Sequence, residues 1–298
     1  MYRTFVILRH TFVESAVQPI YSLLLTLGAV ILFIFAALPF FTLGEDTNMF
    51  KTVGLDVILL FVLIATLFAT SKSIYEEIED RTMLTLMSKP LRRWEVLLGK
   101  YLGIVAAAAL AVAVLGAVIA ICVWWRIPTD YQFNLRSLDE LEQRRIWEHR
   151  LMHLAGVLPS LLLVWLQISV LAAVGVAIST RVSLVVNLPV VIILYIAGNL
   201  SRFLEQAVAG EGVFARLVAV VISDVLPFLA VFDLRQKTVY SRIALSGTSF
   251  ASDVNAVGLG EIWGYVFIAA LYAVAYTTFA LSFGMLLFHG RELGGGEG

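Results

Sequence analysis

The sequence predicts an all-α, polytopic integral membrane protein with about six transmembrane helices. Three observations carry this. Charged residues make up only 14% of the chain, against about 25% in a soluble domain. The apolar residues gather into runs long enough to cross a bilayer core, which takes about 20 helical residues. The stretches between those runs reach only about 30 residues, too few for a water-soluble catalytic domain. The chain, residues 1–298, therefore reads as a single transmembrane domain. Its net charge of −1 carries no signal of its own, and no basic stripe calls for nucleic acid.

The elements follow in order. In residues 1–19, Phe5, Val6, Leu8, Phe12, Val13 and Val17 include several at helical spacing, with Arg3, Arg9 and His10 among them. That pattern suits a helix lying in the membrane interface. Pro19 then starts the turn into the bilayer. Spans are expected at about 20–41, 54–72, 96–125, 154–179, 183–200 and 262–288. The first is longer than a signal-peptide core and has no clear small-residue cleavage site, so it reads as a retained span. Residues 217–232 are apolar but short, hold Asp224 and are broken by Pro227. Such a stretch is more often re-entrant or interfacial than spanning. Region 201–260 is accordingly expected to be extracytoplasmic or re-entrant, 126–153 an extracytoplasmic loop, and 291–298 a flexible glycine-rich tail.

Orientation is read from Lys and Arg in short loops. Lys72, Arg81, Lys89, Arg92, Arg93 and Lys100, with Arg3 and Arg9, place the N-terminus and the 72–100 loop in the cytoplasm, and six spans return the C-terminus there. Arg126, Arg136, Arg144, Arg145 and Arg150 pull the other way, among five acidic residues of the same loop.

The stretch EEIEDRTMLTLMSKPLRRWEVLLGKYLG, residues 76–103, stands out between two oily runs. Met83, Leu86, Met87, Leu91, Trp94, Leu97 and Leu98 recur at offsets of three and four, which is one face of a helix. Pro90 predicts a bend at Ser88-Lys89-Pro90. Glu76, Glu77, Glu79 and Asp80 favour the dipole of a short helix that follows them. Arg92 and Arg93 suit the membrane boundary, where headgroups are anionic. A short amphipathic helix held between two spans can dock into a groove on a soluble partner. Periodicity alone fits a plain interfacial loop equally well.

The same residues resemble the signature of the type-2 ABC permease family, the membrane subunits of ATP-driven exporters. The matches are Glu77 and Glu79, Thr82-Met83, Leu86, Ser88, Pro90 and Leu97-Leu98-Gly99-Lys100. The run SKPLRRWEVLLGKYLG most resembles the branch typified by permeases for multicopper-enzyme maturation. Arg81 stands where the family often has glycine, and the 126–153 loop is longer than typical. The resemblance implies a six-span permease of a bacterial inner membrane, with 73–95 as its coupling segment. Glu77, Glu79, Arg81, Thr82, Met83, Leu86, Met87 and Pro90 would meet a separate ATP-binding subunit. A second copy or a paralogue would complete a shared cavity within the lipid. Gly99-Lys100 is followed by Tyr101 and lacks the upstream glycine of a phosphate-binding loop. ATP and magnesium are therefore expected on the partner, with no cofactor on this chain. Mechanical work on an outer partner, without a transported solute, would leave the same signature.

Other residues bear on rival chemistry. Glu76-Glu77-x-x-x-Arg81 also fits the first motif of CAAX-type intramembrane proteases. That chemistry needs histidines inside the bilayer. The four here, His10, His149, His153 and His289, lie near segment ends, and the companion F-x-x-x-H motif is absent. His149 and His153, four apart, are candidate metal ligands. The competing expectation is a surface helix with Leu141, Ile146, Leu151 and Leu154 partly inward. Asp224, Gln167 and Asn187, polar within apolar segments, are candidates to line a transport path. Gly99-x-x-x-Gly103, Gly175-x-x-x-Ser179, Gly260-x-x-x-Gly264 and the alanines 106–109 have helix-packing spacing, and the alanine run would suit a dimer seam. The single cysteine, Cys122, excludes an intrachain disulfide.

Overall fold

The computed structural model describes residues 2–38, 46–80, 92–131, 139–208 and 227–289, with the backbone alone for 200–208 and 289. Helices dominate: α1 (Tyr2–Val17), α2 (Pro19–Ala37), α3 (Asp46–Thr70), α4 (Arg93–Asp130), α5 (Glu140–Ser179), α6 (Leu184–Val208), the one-turn α7 (Arg235–Thr238) and α8 (Leu259–His289). Helix α3 runs on through a π-helical turn, Ser71–Glu76, and a last turn, Glu77–Glu79. Among the described residues, five helices are long and apolar enough to cross a membrane: α2, the extended α3, α4, α5 and α8. Helix α6 adds a shorter apolar stretch, Leu184–Asn199. The expected spans 20–41, 54–72, 96–125, 154–179, 183–200 and 262–288 each fall on one of these six. Of the apolar run 217–232, only 227–232 is described; it is extended and then a 3-10 turn over Leu229–Phe232.

The expected loop at 126–153 is largely helical instead. Helix α4 continues to Asp130 and α5 begins at Glu140, so only 131–139 lies between them. Charge lowers hydropathy without ending a helix. Asp139 caps α5, its carboxylate accepting from the Leu141 amide at 3.1 Å. The start of α5 matches the expected surface helix in part: Arg144, Arg145 and Trp147 are exposed, with Ile146 buried and Leu154 half-buried. Ile146, Glu148, Met152 and His153 are buried against neighbouring elements, while Leu141 is 69% exposed and Leu151 also faces out.

Helices α3, α4 and α5 form the centre. Helices α2 and α8 turn apolar side chains outward, among them Leu23, Phe33, Phe267, Leu271 and Phe279, as lipid-facing helices do. Helix α1 packs on α4, and the seat is Gly99-x-x-x-Gly103. A Cβ at Gly103 would stand 2.7 Å from the Leu8 carbonyl, and one at Gly99 2.9 Å from Ile7. The other face of α1 leaves Tyr2, Phe5, Val6, Val13 and Val17 exposed, in keeping with an interfacial helix. The middle of the alanine run packs inside the chain, as close-packing spacing predicts. Ala107 and Ala108 are buried within the chain, and the Tyr21 hydroxyl donates to the Ala107 carbonyl at 2.8 Å.

A cap of irregular chain, 227–258, covers the ends of α3 and α5 remote from residue 80. It includes α7 and two short parallel strands, β1 (Ile243–Ala244) and β2 (Val257–Gly258). Gly156 lets the cap touch α5, because a Cβ there would collide with the Thr238 carbonyl.

Candidate functional site

Two groups of polar residues sit in this bundle, one at each end. The first is where the chain leaves α3 and re-enters α4. Lys100, in the second turn of α4, is only 3% exposed. Its ammonium lies 2.6 Å from the Glu77 carboxylate. It also donates to the Ser73 carbonyl, and to the Ser73 hydroxyl at 3.3 Å. A π-helical turn widens the backbone at 71–76, a geometry that recurs at functional positions. Both partners of the ion pair belong to the segment the sequence singled out, but nothing in their spacing announced that they meet. Glu79 is exposed beyond the pair. Arg81, Thr82, Met83, Leu86, Met87 and Pro90 lie outside the described residues, as does the expected bend at 88–90.

The same end is closed by arginines on a helix terminus. Arg93 donates to the Phe288 carbonyl at 3.1 Å and Arg181 to the Leu287 carbonyl at 3.0 Å. Cations at a helix C-terminus satisfy its orphan acceptors and complement its dipole. Asn187, fully buried, joins three helices here. Its amide donates to the Ser179 hydroxyl at 2.8 Å and the Gly175 carbonyl at 3.3 Å, beside Thr70 of α3. Asn187 is thus a packed joint in this conformation and lines no cavity described. Gly175 keeps the joint tight, since a Cβ there would stand 3.0 Å from Leu67.

At the opposite end the charges are buried by partners distant in sequence. Lys51, in the second turn of α3, is 1% exposed. It donates to His153 Nδ1 at 2.8 Å and to the Val239 carbonyl of the cap at 3.1 Å. His153 Nε2 meets the Tyr131 hydroxyl at 3.0 Å. His149 stacks on Tyr131 and Phe250. Both ring nitrogens of His153 are therefore occupied. Among the described residues no cluster of three or more His, Cys, Asp or Glu is arranged to hold a metal. The histidine pair is an architectural joint.

Arg126 makes a second joint. Its guanidinium donates to the carbonyls of Phe35, Ala36 and Leu38 at 2.9–3.2 Å, closing the C-terminus of α2. It also pairs with Asp130 at 3.1 Å and Asp46 at 3.5 Å. Glu148 binds the Ser249 amide at 3.2 Å and its hydroxyl at 2.6 Å. Sequence reasoning passed over Lys51 and counted Arg126 as an ordinary loop charge.

Between these ends lies a cavity of about 190 Å³ framed by α3, α5, α6 and residues 232–235. Gln167 lines it, as do Asp56 and Arg235, which face each other in a bidentate pair with one bond of 3.0 Å. Desolvation lowers the proton affinity of the Arg235 guanidinium, but bonding to Asp56 outweighs it and the net shift is upward. Of the three polar residues the sequence offered for a path, the structure brings Gln167 to a cavity and packs Asn187 away. Asp224 lies outside the described residues.

With this geometry in hand, the family comparison is decisive. The family model for ABC-2 family transporter proteins matches residues 18–293, nearly the whole chain. The chain is a member of the ABC-2 transporter family. It is a multi-pass membrane protein and a permease subunit of an ABC transporter. The match is to the family at large and singles out no branch of it. No curated protein matches the sequence.

Proposed function

We propose that this permease works as an exporter subunit in a bacterial inner membrane, with both termini in the cytoplasm. ATP hydrolysis would be carried out by a separate ATP-binding subunit docked on residues 77–90. ATP and magnesium belong to that subunit. A second permease, the same chain or a paralogue, completes the translocation unit within the lipid.

The observation that supports this most is the pair between buried Lys100 and partly exposed Glu77. It ties the two helices that flank residues 80–92. A push on that segment would then reach α3 and α4 together, and these two pack on each other and on α5 at the centre of the bundle. Exposed Glu79, next to the joint, is available to a partner surface. The test is affinity capture of the tagged protein in mild detergent. A stoichiometric ATP-binding-cassette protein should accompany it and be lost in Glu79→Arg, with membrane insertion unchanged. Unchanged capture in that variant would count against docking here. Cysteines placed at Thr85 and Glu140 should be labelled from the cytoplasm and from outside respectively; labelling from one side would overturn the orientation.

A further inference from the structure

At the elbow between α1 and α2, opposite charges line one recess without meeting. His10, Val13, Glu14 and Val17 recur at offsets of three and four and form one face of α1. Lys72 faces them from the π-helical turn that continues α3. Gln18, whose side chain makes no capping hydrogen bond, closes the elbow. Together they frame a recess of about 570 Å³, the size of a small-molecule site. It lies beside the Glu77–Lys100 pair: Lys72 precedes Ser73, which Lys100 binds, and the charge of Lys100 reaches Glu14. Val13 and Val17 are exposed on the face α1 offers to the membrane interface, and the lipid-facing α2 starts at Pro19. Whatever fills the recess therefore touches lipid as well as water.

The charges narrow the guest. Glu14 Oε2 is enclosed and accepts no hydrogen bond from any described residue. His10 Nδ1 is 3.9 Å from it, too far to donate one. Lys100 acts on Glu14 only through space, being committed to Glu77 and Ser73. Lys72 is half-buried and has no hydrogen-bond or ion-pair partner among the described residues. Glu14 and Lys72 thus share one recess and leave each other unpaired. An anionic guest would suit Lys72 and crowd Glu14; a cation would do the reverse. A zwitterion serves both. Its cationic end must also donate, because Glu14 Oε2 lacks a donor. A primary ammonium does so and a quaternary one cannot. The exposed valines offer apolar contact to the tail-bearing end of such a molecule.

We propose that this recess seats a membrane phospholipid with a primary-ammonium headgroup, its ammonium on Glu14 and its phosphate on Lys72 and the side-chain amide of Gln18. The lipid would bridge α1 and the π-helical turn next to the Glu77–Lys100 joint. The inference goes beyond the permease reading and needs neither the ATP-binding subunit nor an export direction.

The test uses the purified full chain in mild detergent and three lipids with identical dioleoyl tails: phosphatidylethanolamine, phosphatidylcholine and phosphatidylglycerol. Native mass spectrometry measures retained lipid, and thermal shift reports the stabilisation it brings. Phosphatidylethanolamine should bind saturably, with phosphatidylcholine and phosphatidylglycerol each about tenfold weaker. Glu14→Gln should bring phosphatidylethanolamine down to the phosphatidylcholine level. Lys72→Met should weaken all three alike, because each carries a phosphate, and so keep the ratio between headgroups. A merely structural Glu14 would not move that ratio. The wild-type headgroup series decides the class even if a variant fails to fold. No saturable binding of any lipid overturns the site. Equal affinities across headgroups, tighter phosphatidylglycerol binding, or a phosphatidylethanolamine preference that survives Glu14→Gln overturns the ammonium class. Failure to capture an ATP-binding subunit would leave these measurements untouched, so the two readings fail separately.

Discussion

The two ends of the bundle each bury a lysine, and they do so differently. Lys100 faces a carboxylate from the same hairpin of helices, Glu77. Lys51 faces neutral acceptors, His153 and the Val239 carbonyl, on elements more than 100 residues away. The Lys51 end is further tied by Arg126 to the end of α2, by Arg235 to Asp56, by Ser160 to Thr238 at 2.8 Å, and by Glu148 to Ser249. At the Lys100 end the Glu77–Lys100 ion pair joins the two flanking helices beside a π-helical turn, with arginines closing α8. The capped end is a frame. The other, among the described residues, is a joint of two helices.

The comparison can be broken most sharply at Gly156. Gly156→Val would drive its side chain into the Thr238 backbone, which cannot yield without lifting the cap. The expected loss is about 3 kcal/mol or more. It should appear as a lower thermal midpoint and a smaller monodisperse fraction. A wild-type midpoint would mean that the cap is not fixed to α5.

The lysines come next. Lys100→Met leaves the Glu77 carboxylate without its ammonium and should cost about 2 kcal/mol, below the value for a fully buried pair because Glu77 reaches solvent. Adding Glu77→Gln should recover most of that loss. Lys51→Met leaves only neutral acceptors unpaired and should cost about 1 kcal/mol, with no single second substitution to rescue it. Equal rescue at both ends in a double-mutant cycle would erase the distinction drawn between joint and frame.

The smallest effect concerns Asp253 in the cap. The Asn255 amide and Arg242 hold its carboxyl below the usual carboxylate range. Its contribution is therefore complete above its unfolded value of about 3.9 and fades as pH falls through the lower folded value. A slight acid-side loss of thermal midpoint, absent in Asp253→Asn, is the expected reading.

Much of this was legible in the sequence, and the misses share one cause. Apolar runs located the five helices long enough to cross a membrane and the shorter apolar α6, and Phe5, Val13 and Val17 marked the exposed face of α1, because both signals are local along the chain. Glu77 and Lys100 were each picked out as members of a motif. Their contact was not, since it depends on how α3 and α4 pack. Gln167 was singled out from its apolar surroundings, and it lines a cavity that only the packing of α3, α5 and α6 creates.

By itself the sequence determined that this protein is helical, crosses the membrane repeatedly and carries a charged segment between its second and third spans. Hydropathy and helical period suffice for that, because each residue is judged by its neighbours in the chain. Only the tertiary structure decided which charges leave water. Lys51 and Arg126 look like ordinary loop cations until partners up to 188 residues away bring carbonyls and carboxylates to them. A buried charge is tolerated only where such partners converge, and convergence is a property of the packed bundle.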